Sequence, residues 1–181
     1  MCSRSTNGDI PIQGAAAFVL TSAERARELR QKPAYVLGTA VAPTFWKRKT
    51  GGPIPPLDDY MAIGRDMAAK LYANAGISRE DVDVVNFYDG FSVVTPFWAE
   101  CFGFCPEGEA FAWVANPDVP LNTSSGNLGA GRMHGCPHLM DGAMQVMGRS
   151  GVRQVKDANV SLVAIAPNNI GIGIVFVSEP N

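Results

Sequence analysis

The residues with the clearest potential for chemistry lie in a glycine-rich stretch, residues 121–135, which reads LNTSSGNLGAGRMHG. Glycine lets a backbone approach a ligand closely and adopt positive φ, and the surrounding Ser, Thr and Asn residues supply groups that cap turns. A helical pattern follows directly. We therefore expect the stretch to bring Arg132 and His134 to a helix N-terminus, where N–H groups and the helix dipole favour negative charge. Glycine content alone favours a connecting loop without chemistry, so the functional interpretation depends on the neighbouring motifs.

A second polar motif, YDGF at residues 88–91, directly follows a buried strand predicted at 82–87. Cys136 is the thiol nearest to the glycine-rich stretch, and it is either a reactive group at a helix N-terminus or a small buried filler. The four cysteines form no CxxC pair, which argues against a zinc knuckle and a thioredoxin-type motif. This usage predicts a reduced, cytoplasmic protein.

Composition places the chain among ordinary globular proteins. Its 181 residues suffice for one domain with a core, and 46% of them are hydrophobic and 18% charged. The net charge is −2 and no run of like charges exceeds the three residues of Lys47-Arg48-Lys49, so neither nucleic acid nor a membrane surface is an expected partner. No apolar run reaches the ~18 residues that span a bilayer, and residues 1–9 are polar. We therefore expect no transmembrane segment and no signal peptide.

Apolar periodicity and helix signals predict the elements that must position these motifs. Strands are expected at 10–20, 34–41, 82–87, 160–166 and 170–177, and helices at 23–30, 60–75, 92–104 and 137–148. The last two strands are separated by a Pro-Asn-Asn sequence, which favours a hairpin or a tight loop. The last helix is expected to bury an apolar stripe made of Leu139, Met140, Ala143, Met144 and Met147. This order predicts an α/β layer fold with a mixed sheet.

Three separated segments resemble the C-terminal half of the thiolase superfamily: YDGF at 88–91, the glycine-rich stretch at 122–135, and the strand region 164–176. They occur in the correct order and are most similar to the sterol-carrier and lipid-transfer branch, which includes steroid aldolases. The resemblance implies that residues 1–33 are a remnant of the first thiolase half and a linker. It further implies that residues 34–181 form a thiolase-like C-terminal domain, with a mixed five-stranded sheet covered by helices.

The resemblance also implies a class of reaction. Members of the superfamily bind acyl-CoA and make or break a carbon–carbon bond beside the thioester carbonyl. Their acyl-accepting cysteine belongs to the first half, which this chain lacks, while the second half supplies a His, an Asn or His, and a Cys. Here Tyr88 occupies the Asn/His position, Arg132 occupies the position of the first His, and residues 163–167 contain no cysteine. Thiolysis through an acyl-enzyme is therefore not expected of this chain alone.

Tyr88 resembles the tyrosine of lipid-transfer-type steroid aldolases, which cleave a β-hydroxyacyl-CoA side chain by retro-aldol chemistry. Those aldolases carry a second tyrosine where Arg132 stands. Retro-aldol cleavage needs a base for the β-hydroxyl proton and donors for the enolate oxygen. The catalytic candidates are Tyr88 as a proton carrier whose pKa a cation lowers, Arg132 as that cation or as a donor to the thioester oxygen, and His134 as a proton shuttle.

Each catalytic candidate has a structural alternative. Tyr88 could bond to backbone at a strand end, Arg132 could form a salt bridge with Asp89 or Asp141, and His134 could be a satisfied core histidine. We expect the substrate to be bound by polar and small residues around the cleft, namely Asp89, Ser125, Gly126, Gly131, Cys136 and Asn168.

The sequence thus predicts a thiolase-like protein that acts on acyl-CoA thioesters, by retro-aldol cleavage or acyl transfer, in lipid or steroid side-chain metabolism. No bound cofactor is expected, since coenzyme A enters as part of the substrate. The alternatives are a non-catalytic subunit that binds acyl-CoA or lipid, and a truncated half without activity. The resemblance suggests a zinc-ribbon/OB-fold protein or a separate thiolase first half as partner. The apolar surface of an isolated half also predicts a homo-oligomer.

Overall fold

Four strands and six α-helices make up the part of the chain that the computed structural model describes, residues 8–43, 57–165 and 170–180. The strands are β1 (Tyr35–Pro43), β2 (Val84–Phe87), β3 (Val160–Ile165) and β4 (Ile170–Val177). The helices are α1 (Ala23–Arg27), α2 (Leu57–Ala75), α3 (Val94–Cys101), α4 (Ala110–Ala115), α5 (Gly126–Ala130) and α6 (Cys136–Val146). Two 3₁₀ turns lie at Arg79–Asp81 and Gly151–Arg153. The predicted α/β class is confirmed.

The strands form one mixed sheet in the order β1-β4-β3-β2. β3 and β4 are antiparallel neighbours, with Val163 opposite Ile174, as predicted for the two C-terminal apolar runs. β2 joins β3 in parallel, with Val85 opposite Leu162, and β1 pairs antiparallel with β4. The prediction of five strands is therefore wrong, since the described residues form a four-stranded sheet.

Residues 10–20, which were expected to form a strand, do not join this sheet. Their neighbourhood contains only isolated bridges, at Gly8 and Pro11. Val19 is 92% exposed and Leu20 is 86% exposed. The segment is apolar, but it meets no neighbouring strand among the described residues that could satisfy its backbone N–H and C=O groups.

Helix α2 covers one face of the sheet, against β1 and β4. A side chain at position 171 or 173 of β4 would point to this face, but both residues are glycine. A Cβ atom added to Gly171 would lie 2.8 Å from Met67 Sδ, and one added to Gly173 would lie 2.7 Å from Leu71 Cδ2. The space that these alternating glycines leave is therefore filled by α2.

Helix α6 packs on β2, β3 and β4 with a face that is largely polar. Its buried residues are His138, Asp141, Gly142, Ala143, Gln145 and Val146. Of the predicted apolar stripe, Ala143 is buried, Leu139, Met144 and Met147 are half-buried, and Met140 is 38% exposed, so the prediction is wrong for Met140. A Cβ on Gly142 would lie 2.5 Å from Val163 Cγ2, which explains the close approach of helix and sheet. The polar face can be buried because its groups find partners: the Gln145 amide donates to Thr123 Oγ1 at 2.8 Å.

Three short helices lie between β2 and α6. Helix α4 occupies a segment without clear periodicity, and α5 lies inside the glycine-rich stretch that was expected to be a loop. The Phe87 ring packs at 5.6 Å from Phe102, 5.5 Å from Phe104 and 6.5 Å from Trp113, measured between ring centroids. This aromatic group anchors the end of β2, where the candidate site begins. Within the described ranges, none of the helices combines the length and the apolarity that a membrane span requires.

Candidate functional site

Tyr88 is the first residue after β2, and it is 7% exposed. Its N–H donates to the Ala164 carbonyl at 2.8 Å, which extends the parallel pairing of β2 with β3. The side chain of Asn122 accepts the Phe87 N–H at 2.8 Å and donates to the Phe87 carbonyl at 2.9 Å. These bonds attach the glycine-rich stretch to the end of β2. The two motifs that the sequence singled out therefore meet.

Asp89 caps the N-terminus of α5. Its Oδ1 accepts the Asn127 N–H at 2.6 Å and its Oδ2 accepts the Leu128 N–H at 3.1 Å. Gly126 has φ 60°, and a Cβ there would overlap the Asp89 carboxylate. The sequence predicted that a helix N-terminus in this region would receive negative charge, and in the structure the protein's own Asp89 occupies that position.

His138 is the buried partner of Asp89, and the sequence reasoning missed it. Its Nε2 lies 3.0 Å from Asp89 Oδ1, off the line of a straight hydrogen bond, and its side chain is fully buried. The ring centroids of His138 and Tyr88 are 5.9 Å apart. The available signal was the spacing of His138, Asp141 and Gln145, which places three polar side chains on one face of a helix.

The position of Asp89 affects its ionisation. Burial alone raises the pKa of its carboxyl, but the His138 imidazole and the N–H groups of Asn127 and Leu128 outweigh it and hold the pKa below its ordinary value. Asp89 is therefore a stable carboxylate at neutral pH and serves as the anchor of α5.

Arg132 pairs with Asp9, a residue that the sequence reasoning also missed. Arg132 Nη1 lies 3.4 Å from Asp9 Oδ1, and the Asp9 side chain is 2% exposed. The Arg132 N–H donates to the Ile10 carbonyl at 2.8 Å and the Ile12 N–H donates to the Arg132 carbonyl at 3.3 Å. The salt bridge considered for Arg132 thus exists, but its partner is neither Asp89 nor Asp141, because residues 8–12 lie along the end of the glycine-rich stretch.

The Tyr88 phenol lies in the same environment as the Arg132–Asp9 pair, and both charged groups affect its pKa. Burial raises the pKa of its phenol, and the Asp9 and Asp89 carboxylates raise it further. The Arg132 guanidinium and the nearby Asn127 amide lower it, but the net pKa lies above the ordinary value. Arg132 therefore acts in the expected direction on the pKa of Tyr88, while the expected net lowering is wrong because burial and the Asp9 carboxylate outweigh the guanidinium. At neutral pH Tyr88 is a protonated phenol, which can donate a hydrogen bond or a proton. We call Asp9, Tyr88, Asp89, Asn127, Arg132 and His138 the Tyr88 cluster.

The remaining predicted site residues have other surroundings. His134 is exposed at φ 49°, so it is not a core histidine. Ser125 is exposed at φ 75° at the N-cap position of α5, and Cys136 is the half-buried first residue of α6. At Gly131, φ is 100° and a Cβ would lie 2.5 Å from Ile12 Cγ2. Asn168 lies outside the described residues.

A surface cavity of about 550 Å³ lies elsewhere, between α1 and the end of β4. Arg27, Arg30, Lys32 and Glu179 are among its lining residues. None of the predicted site residues lines this cavity.

The family model for thiolase C-terminal domain-like proteins matches residues 59–171, which is more than half of the chain and includes the Tyr88 motif and the glycine-rich stretch. The chain belongs to this family. The resemblance that the sequence suggested is therefore confirmed.

Relatives of this thiolase-like chain include a 17-hydroxy-3-oxo-4-pregnene-20-carboxyl-CoA lyase from Mycobacterium tuberculosis. The two are 31% identical over 76% of this chain and 37% of the lyase. Sterol carrier protein 2 from Oryctolagus cuniculus is 29% identical over 88% of this chain and 30% of that protein. The solved structure of the Ltp2-ChsH2(DUF35) aldolase matches with a TM-score of 0.70 and 27% identity, over 86% of this chain and 42% of that chain. This thiolase-like chain thus spans less than half the length of each of them.

Proposed function

We propose that this thiolase-like chain acts on acyl-CoA thioesters by cleaving or forming a carbon–carbon bond, with Tyr88 as the proton donor. The observation that carries the proposal is the Tyr88 cluster. A buried phenol, kept protonated by its surroundings, lies within the fields of the paired Arg132 and Asp9, at the position where the family resemblance expects a catalytic group.

In a retro-aldol reaction a base removes the β-hydroxyl proton, the bond between Cα and Cβ breaks, and its electron pair moves towards the thioester carbonyl. The resulting enolate must be stabilised by donors and then protonated at Cα. Tyr88 supplies that proton and Arg132 donates to the thioester oxygen. Asp9 Oδ2 has no hydrogen-bond partner among the described residues, and it accepts the hydroxyl proton in this scheme.

The proposed substrates are acyl-CoA thioesters of lipids or steroid side chains, and the proposed setting is the cytoplasm. The names of the steroid lyase and of sterol carrier protein 2 support this substrate class. The pairing of an Ltp2 chain with ChsH2(DUF35) in the matched aldolase supports a partner subunit. The exposed apolar side chains of Val19 and Leu20 also favour association. We propose that a zinc-ribbon/OB-fold protein or a chain with the first thiolase half binds here, within a homo-oligomeric assembly.

The second candidate is a non-catalytic subunit that binds acyl-CoA or lipid. The salt bridge between Arg132 and Asp9 favours it, because a neutralised guanidinium stabilises developing negative charge less well than a free one. In that case the protein would bind the acyl-CoA thioester without converting it.

Turnover of a β-hydroxyacyl-CoA separates the two candidates. The chain would be isolated together with its native partners, and the carbonyl product and shortened acyl-CoA would be quantified by mass spectrometry. Tyr88→Phe should lower turnover about 10²-fold or more, and Tyr35→Phe on β1 should leave it unchanged. Micromolar binding without turnover in the wild type would refute the catalytic proposal and favour the binding subunit.

A further inference from the structure

We infer that His138 is a positioning residue of the proposed site: its imidazole holds the Asp89 carboxylate against the N-terminus of α5, and Asp89 directly follows Tyr88 in the chain, so this contact fixes the backbone beside the phenol. This inference rests on the function proposed above. Because His138 is fully buried, it acts through its neighbours and has no direct contact with a substrate in this scheme.

The Asp89 carboxylate has three neighbours of opposite polarity. The N–H groups of Asn127 and Leu128 lie at 2.6 and 3.1 Å, and His138 Nε2 lies at 3.0 Å. An ionised carboxylate is costly to bury unless such partners surround it. Two of the three partners belong to the first turn of α5, so the position of the carboxylate and that of α5 are coupled.

Helix α5 depends on this cap. It contains only five residues, and a helix of that length is unstable by itself. Ser125 occupies the N-cap position, but its side chain makes no capping hydrogen bond. Asp89 therefore provides the capping interaction that Ser125 lacks, and a shift of Asp89 would move the first turn that carries Asn127.

His138 has the fixed position that this role needs. It lies in the first turn of α6, a helix of 11 residues, and its ring lies against that of Tyr88 with 5.9 Å between centroids. Neither ring nitrogen makes a straight hydrogen bond among the described residues, so the 3.0 Å contact of Nε2 with Asp89 Oδ1 is its polar interaction in this structure. One rigid ring thus contacts both Tyr88 and the anchor of α5.

Three variants of the full chain test the inference. His138→Gln retains an amide N–H that can reach Asp89, whereas His138→Leu keeps a side chain of comparable bulk without a polar atom. Val146→Ala removes buried atoms from the same helix about two turns away and serves as a control for general loss of stability. Amide hydrogen exchange of Asn127 and Leu128, measured by NMR, reports the cap without any substrate.

We expect His138→Leu to accelerate exchange of these two amides about tenfold or more, relative to other amides. His138→Gln should remain within about threefold of the wild type, and Val146→Ala should show no selective change. With a β-hydroxyacyl-CoA, His138→Leu should lower kcat about tenfold and leave KM within about twofold.

Equal exchange in the leucine, glutamine and wild-type proteins, or the same selective acceleration in Val146→Ala, would overturn the inference. If His138→Leu does not fold, His138→Asn decides instead: its shorter amide cannot reach Asp89 and should accelerate exchange, and wild-type exchange would count against the inference. Since exchange needs no substrate, the test holds even if the wild type shows no turnover, a result that would refute only the proposed function.

Discussion

The Asp9 carboxylate pairs with Arg132, and it also raises the pKa of Tyr88. Replacing Asp9 with asparagine removes this carboxylate. After burial, Asp9 is the largest cause of that raised pKa. Its loss should therefore lower the pKa of Tyr88, and the positive charge of Arg132, no longer neutralised, should act in the same direction. The variant thus changes the protonation of Tyr88 without altering the phenol itself.

The cost in stability follows from the geometry of the pair. At 3.4 Å and an effective dielectric constant of about 20, the attraction is about 5 kcal/mol before desolvation is subtracted. Arg132 is 30% exposed, so water can solvate its guanidinium, and asparagine keeps an acceptor for it. We expect a net destabilisation of about 1–2 kcal/mol. For a chain of this length, that corresponds to a Tm lower by about 2–8 °C.

The assay is an alkaline titration of ¹³C-labelled tyrosine followed by NMR, with the Tyr88 resonance assigned through Tyr88→Phe. Asp9→Asn should lower the pKa of Tyr88, and Arg132→Met should raise it. Tyr72, whose pKa is raised by burial, is an internal control that neither variant should shift. An unchanged or higher Tyr88 pKa in Asp9→Asn would refute the electrostatic reasoning.

Three further predictions concern the surroundings of the site. Asp89→Asn should destabilise the protein by about 1–3 kcal/mol at neutral pH; because folding lowers the pKa of Asp89, that difference should shrink as the pH falls below about 3.9, as measured by denaturant unfolding. Gly126→Ala should cost about 1 kcal/mol or more beyond Gly148→Ala, since both have positive φ but only the first would overlap a side chain. Burial raises the pKa of the Cys101 thiol to about 12, so mass spectrometry should find it alkylated at neutral pH only after unfolding.

Each of these predictions has a contradicting result. An Asp89→Asn difference as large near pH 3 as near pH 7 would contradict the lowered pKa of Asp89. Equal losses of stability in the Gly126→Ala and Gly148→Ala proteins would show that overlap with Asp89 adds no cost. Rapid alkylation of Cys101 in the native protein would contradict its burial.

Local patterns predicted the parts of the fold whose signals lie within one segment. The two β-branched runs at the C-terminus form β3 and β4, and the helix predicted at 60–75 is observed as α2, Leu57–Ala75. The meeting of the Tyr88 motif with the glycine-rich stretch followed from the family resemblance rather than from periodicity.

Contacts between distant segments explain what the sequence did not predict. The buried polar face of α6 depends on partners outside the helix, such as Asp89 for His138 and Thr123 for Gln145, while the apolar stripe at similar spacing looked equally suitable for burial. The Arg132–Asp9 pair depends on how residues 8–12 pass the glycine-rich stretch, which no local pattern indicates.

The central claim is that Tyr88 acts as a protonated donor, and the alkaline limb of the pH–rate profile tests it most directly. With a β-hydroxyacyl-CoA substrate, wild-type kcat/KM should fall in the alkaline range as the phenol ionises, and it should do so above the ordinary tyrosine pKa of about 10 because the pKa of Tyr88 is raised. The residual activity of Tyr88→Phe should lack this limb. A wild-type kcat/KM that rises with pH over the same range would mean that Tyr88 acts as a phenolate base, and it would contradict the claim that Tyr88 is a protonated donor.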